Sequence, residues 1–299
     1  MGTPSWMDAP PKRILLATDL SPRCDRALDR AARLAEQWRS DLVVLHVLEG
    51  LDRRPPETGL TPSWRKQSDP RGIARRQLCA DIGAVAGRAT MLIAEGDPAE
   101  EILRAGDAER CEMIVIGLGR EGAFGRFGLG KTMDRLLRRS RLPVLVVRER
   151  PRGPYRHILA ATDFSASSRH AIELAARLFP EQTLTVFHAY SAPMSGLMTN
   201  AASYRREYRR VALRECDAFL ATVAKPETGW RELHVLVEDG APGPLLRDYA
   251  VDMDVDLVVL GASGRSAFVE ALVGCAAKSI IHEVPCDALL VGEPRTQAD

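Results

Sequence analysis

Two stretches of this chain, 144 residues apart, carry nearly the same words. Arg13-Ile-Leu-Leu-Ala-Thr-Asp-Leu-Ser21 returns as His157-Ile-Leu-Ala-Ala-Thr-Asp-Phe-Ser165. The same offset joins Ala31-Ala-Arg-Leu34 to Ala175-Ala-Arg-Leu178 and Gly96-Asp-Pro98 to Gly240-Ala-Pro242. It also joins Gly117 to Gly261 and Gly130 to Gly274. One offset held across separate segments means duplication, and two copies of so long a period mean two domains rather than a solenoid. Domains are expected at 12–148 and 156–292. The Pro- and Gly-bearing stretch Arg148-Glu-Arg-Pro-Arg-Gly-Pro-Tyr155 reads as the linker, because it suits neither helix nor strand.

Each copy repeats one order of elements. Short apolar runs (Ile14–Ala17, Leu42–Val47, Ala89–Ala94, Met113–Ile116, Val144–Val147, and Ile158–Ala161, Leu184–Ala189, Glu232–Val237, Leu257–Leu260, Ala288–Val291) read as strands. Helical patterns lie between them. Asp-x-Ser supplies caps for the first helix of each copy, and Gly-x-Pro opens the third. Strands apolar throughout, alternating with helices, imply an α/β fold: a parallel sheet with helices on both faces. Such sheets take ligands at the carboxyl ends of strands, where strand order reverses. The motifs after the first and fourth strands of each copy fall on that edge.

Charge and composition exclude several classes. The chain has 299 residues, 45% hydrophobic and 27% charged, with no apolar run of membrane-spanning length and no leader-like N-terminus. Cytoplasmic residence and no membrane partner are therefore expected. Six cysteines without a Cys-x-x-Cys pair read as reduced thiols, and six histidines show no metal-ligand spacing. Residues 1–150 carry a net +5 and the remainder −4. That imbalance is too small to favour nucleic acid, and Arg135, Arg138, Arg139 and Arg141 read first as the solvated side of a helix.

The second copy reads Gly261-Ala-Ser-Gly264, nine residues, then Gly274-Cys275-Ala276, between a strand and a helix. Glycines admit an oxyanion close to the backbone, and amides at a helix N-terminus hold it. Gly261 by itself could merely turn the chain. The ordered set, together with Ala-Thr-Asp-Phe-Ser, His188 at the end of the second strand, Gly240-x-Pro242 and the last apolar strand, resembles the universal stress protein family across nearly the whole chain.

That resemblance implies two tandem Rossmann-like domains of the adenine nucleotide alpha hydrolase-like kind, each an open five-stranded parallel sheet. It implies an adenine nucleotide as ligand: ATP, alone or with Mg2+. Asp163 would sit near the ribose or base, Ala161, Ala189 and Leu260 would line the base, and Gly261, Gly264, Gly274, Cys275 and Ala276 would face the phosphates. Cys275 stands where the family has Ser or Thr, a loss of about 1 kcal/mol for one modest hydrogen bond. Ser263 stands where many members are basic. The corresponding first-copy set is Ala17, Asp19, Val47, Gly117, Arg120, Gly130, Lys131 and Thr132. There Arg120 replaces the middle glycine, so it either fills the pocket or adds a charged contact to phosphate.

Gly125 to Thr132 also fits Gly-x4-Gly-Lys-Thr, but a P-loop starts directly after its strand, and here the strand ends near Ile116. No nucleophile–base set or metal carboxylate pair is present, so hydrolysis is expected to be slow or absent. His46 and His188 are expected to make structural hydrogen bonds. Glu49–Gly72 reads as a long connection that overhangs the first site or is mobile, and Tyr190–Ser203, with Met194 and Met198, reads as a loop with loosely packed apolar residues rather than a lid or partner contact. In the family, paired domains meet through their last strands, which implies an internal pseudo-dimer here, with a homodimer as a further option. A module that has lost nucleotide and works by protein contact is the alternative.

Overall fold

The computed structural model describes residues 9–22, 24–49, 69–83, 89–118, 130–193, 200–224, 232–262 and 275–292, with the side chains of 275 and 276 excepted. The first copy runs β1 (Arg13–Thr18), α1 (Cys24–Trp38), β2 (Asp41–Leu48), α2 (Pro70–Ile82), β3 (Ala89–Glu95), α3 (Pro98–Ala108), β4 (Met113–Gly117), α4 (Lys131–Arg139) and β5 (Val144–Val147). The second runs β6 (His157–Ala161), α5 (Ala166–Leu178), β7 (Thr183–Tyr190), α6 (Ala201–Leu220), β8 (Glu232–Asp239), α7 (Pro242–Asp252), β9 (Leu257–Gly261), α8 (Cys275–Glu283) and β10 (Asp287–Val291). Every expected strand is present, most extended by one or two residues.

All strands belong to one sheet, in the order β3-β2-β1-β4-β5-β10-β9-β6-β7-β8. Within each copy the pairing is parallel, and the halves join where β10 meets β5 antiparallel. Alternate strand residues feed opposite faces: Ile14 and Leu16 belong to the core on the face that carries α1, α2, α5 and α6, while Leu15 belongs to the core on the face that carries α3, α4, α7 and α8. Burial on both faces explains why these strands are apolar at nearly every position.

Local chemistry starts the helices where the sequence places them. Ser165 Oγ accepts from Ser168 N at α5, and Asp97 accepts from Glu100 N at α3, where Pro98 occupies the first turn. The outer strands β3 and β8 each have a guarded carbonyl. Arg71 of α2 donates to Ile93 O at 3.3 Å, and Arg209 of α6 donates to Val237 O at 3.3 Å. Ile93 and Val237 occupy the same repeat position, so both edges are blunted alike.

Two expectations gain detail. The basic run on α4 is solvated as expected and is also paired: Arg135 pairs with Asp97 at 2.6 Å and with Glu100, Arg139 also reaches Glu100, and Arg138 pairs with Asp134 at 2.9 Å. The stretch 148–155 has neither helix nor strand, yet it is pinned. Arg148 N and Glu149 N donate to Asp287, and Tyr155 is buried, with its ring edge-on to Phe179 at 5.5 Å. The two long connections end in helix, since α2 begins at Pro70 and α6 at Ala201. Met194 and Met198 lie outside the described residues.

Candidate functional site

In each copy the strand order reverses between the first and fourth strands, β1 beside β4 and β6 beside β9. The crevice at their carboxyl ends is where a doubly wound sheet receives a ligand. In the second copy Ala161 ends β6, Ala189 lies on β7, and Leu260 and Gly261 end β9. In the first copy Ala17, Val47 and Gly117 hold the same places on β1, β2 and β4. The sequence-predicted strand-end residues are thus gathered on one edge of the sheet.

Immediately past β6 the chain turns by a set of hydrogen bonds written in Thr-Asp-Phe-Ser. Asp163 Oδ1 accepts from Ser165 N at 3.1 Å, and Thr162 Oγ1 accepts from Phe164 N at 2.9 Å. Phe164 takes a positive φ of 64° to complete the turn. The first copy repeats it: Asp19 Oδ1 accepts from Ser21 N at 2.9 Å, Thr18 Oγ1 from Leu20 N at 3.0 Å, and Leu20 has φ 57°. An Asp side chain that closes its own turn is held in place without any ligand. Burial raises the Asp19 pKa, but hydrogen bonds from Ser21 and Cys24 outweigh it and leave the carboxyl below its ordinary value of 3.8.

The two strand-end histidines brace these turns. His46 Nδ1 donates to Thr18 O at 2.9 Å, and His188 Nδ1 donates to Thr162 O at 2.8 Å. A carbonyl only accepts, so the proton sits on Nδ1 in both. Phe164 stacks on His188 with ring centroids 4.0 Å apart. The expected structural role for both histidines is what the geometry gives.

Gly261 has a second reason to be glycine. A Cβ there would lie 2.5 Å from Ser167 Oγ and 2.6 Å from Ser168 N, in the first turn of α5. Close packing of β9 on α5 therefore requires it, whatever binds at the edge. Gly130 differs: an added Cβ would meet none of the described residues within 4 Å. Gly130 stands just before α4, and among the described residues no side chain caps that helix, so its N-terminal amides are of the kind that can take an anion. Gly264, Gly274, Ser263, Arg120 and the Gly125 segment lie outside the described residues, as do the side chains of Cys275 and Ala276 at the start of α8. No cluster of His, Cys, Asp and Glu able to hold a metal occurs among the described residues. No helix among them is long and apolar enough to cross a membrane.

Sequence reasoning missed the side-chain ties between the copies. Arg30, Tyr155 and Asp287 meet in the interior although they stand far apart in the chain, and no motif marks them.

Known proteins resemble the chain along its whole length. The family model described as Universal stress protein family matches twice, over residues 10–148 and 154–292. A universal stress protein of Thermus aquaticus is 31% identical over 137 residues, which is 46% of this chain and 98% of that protein. One from Mycobacterium tuberculosis is 24% identical over 316 aligned positions, covering 95% of this chain and 96% of its own. Among solved structures, a functionally unknown protein from Pseudomonas aeruginosa superposes with a TM-score of 0.66 at 21% identity, over 98% of this chain and 95% of that one. A likeness at that identity speaks for the fold alone. With the duplicated sheet, the shared Asp turns and two family matches end to end, the chain belongs to the universal stress protein family, in its tandem form.

Proposed function

We propose that this chain is a tandem adenine-nucleotide-binding module of the stress-response or signalling kind, with domains at 12–148 and 156–292 acting as an internal pseudo-dimer. The observation that carries the reading is the Thr-Asp-x-Ser turn, preset by its own hydrogen bonds at the switch crevice of both copies. The second copy takes ATP, alone or with Mg2+. Asp163 faces the ribose or base, Ala161, Ala189 and Leu260 line the base, and Gly261, Gly264, Gly274, Cys275 and Ala276 meet the phosphates. The first copy, with Arg120 for the middle glycine and Lys131 at the helix start, is an altered site. Hydrolysis is slow or absent, in keeping with a sequence that offers no nucleophile–base set. The chain works in the cytoplasm, consistent with free thiols among its described cysteines.

Calorimetry with ATP on the wild type and on Gly264→Arg tests this reading. Binding by the wild type that the variant loses is expected. The close packing around Gly261 favours a second reading, because it removes one glycine from the argument for phosphate. In that reading the module works through protein contact, and neither protein gives heat with ATP.

A further inference from the structure

The seam between the halves has an axis. Leu145 of β5 faces Leu289 of β10, and these two are the same position of the 144-residue repeat. The flanking pairs, Val144 with Leu290 and Val146 with Ala288, exchange places about them. A local twofold axis therefore passes between Leu145 and Leu289. A position can meet its own equivalent only beside such an axis.

Asp134 of α4 and Lys278 of α8 are also one position of the repeat, and they meet: Lys278 Nζ donates to Asp134 Oδ1. On the neighbouring layer Arg30 of α1 lies across the seam from Asp287 of β10, Nε to Oδ2 at 3.3 Å, both side chains almost wholly buried. The contact is an ion pair rather than an aligned hydrogen bond. The guanidinium donates instead to Gly153 O at 3.0 Å and lies 3.9 Å from the Tyr155 ring centroid. The repeat equivalents of Arg30 and Asp287 are Leu174 and Pro143, so the twofold-related side of the seam carries no such pair.

These charges read differently in each pairing. Two first copies joined by β5 would set Asp134 against Asp134 and leave Arg30 buried against Pro143. Two second copies joined by β10 would set Lys278 against Lys278 and leave Asp287 facing Leu174, with Tyr155 but no cation. A buried charge without its partner is strongly unfavourable, and like charges at an axis cannot avoid each other. Only a first copy against a second copy satisfies both positions.

We propose that the β5–β10 seam is self-selective: the partner it accepts is the complementary copy of the same chain, and it is closed to like-with-like pairing with a second chain. The linker enforces the choice in cis. Its ends are tied to both sides of the seam, through Arg26 to Arg148 O, Arg30 to Gly153 O, and Arg148 to Ile281 O and His282 O of α8. A tether of eight residues, 148–155, also gives the joined copy a high effective concentration. Self-association of the whole chain must then use another surface.

The test uses full-length protein, half of it 15N-labelled, mixed natively or taken together through urea, then treated with a zero-length carbodiimide. The expected product is an Asp134–Lys278 crosslinked peptide in monomer, all light or all heavy. Isotopically mixed crosslinks, or a dimer without that crosslink, would overturn the proposal. A charge cycle asks whether the sign is read. Asp134→Lys and Lys278→Asp each lower the urea midpoint, and the two together restore most of it. A double variant no better than the singles would equally sink the idea.

Discussion

The Tyr155 hydroxyl donates to Asp287 Oδ2 at 2.7 Å inside the protein, while the Asp287 Oδ1 atom takes the amides of Arg148 and Glu149. One carboxylate thus gathers the end of the first copy, the start of the second and the linker between them. Burial, together with this carboxylate, pushes the tyrosine's pKa well above its ordinary value of 10.0.

Tyr155→Phe keeps the ring beside Arg30 and removes only the hydroxyl. It leaves a buried carboxylate oxygen short of a donor, which costs about 1–3 kcal/mol. A lower urea midpoint is expected, and an unchanged midpoint would show that the hydroxyl contributes nothing.

Gly261→Ala places a methyl group against the first turn of α5. Backbone as well as side chain blocks it, so Ser167→Ala does not rescue it. A loss of about 1–3 kcal/mol is expected for forcing the helix outward. Thermal melts without nucleotide make the check, because the effect precedes any ligand.

The seam weakens in acid. Burial alone would raise the Asp134 pKa, but hydrogen bonds from Lys278 and Arg138 outweigh it and hold the carboxyl below its ordinary 3.8. A group depressed in the folded state adds stability that is fully present above the unfolded value. It is lost as pH falls through the lower folded value. Asp134→Asn should therefore lower the urea midpoint near neutrality and converge with wild type at the acid end. Parallel curves at every pH would contradict the assignment.

Asp97 caps α3 and also pairs with Arg135. The cap is the larger contribution, because half-exposed ion pairs are worth little. Asp97→Ala should cost about 1 kcal/mol, and Asp97→Ser, which keeps a capping oxygen, should recover most of it. Urea titration of the pair separates the cap from the charge.

Thiol labelling should rank the described cysteines. Burial pushes the Cys24 and Cys216 thiols up to about 11 and those of Cys111 and Cys286 up to about 12, while Cys79 is exposed. The thiolate is the reactive form, so Cys79 should react first at pH 8 and the other four only on unfolding. Rapid labelling at Cys24 in the native chain would refute this order.

The duplication, the ten strands and the Ser165 cap were legible in the sequence, because each is set by neighbours a few residues apart; the expected Ser21 cap was not, since α1 starts at Cys24 and Ser21 Oγ has no partner among the described residues. Alternation puts Ile14 and Leu15 on opposite faces, and Ser165 reaches Ser168 within one turn. Tertiary structure alone decided the antiparallel register that sets Leu145 against Leu289 where the last strands meet, that Gly261 is pressed by α5, and that the linker is bound. It also decided that Arg30 meets Asp287 and that Asp134 meets Lys278. Those relations join residues about ninety or more positions apart, and a local pattern carries no information about which distant charge will stand opposite. Burial gives such pairs their force, and burial exists only once the chain has closed on itself.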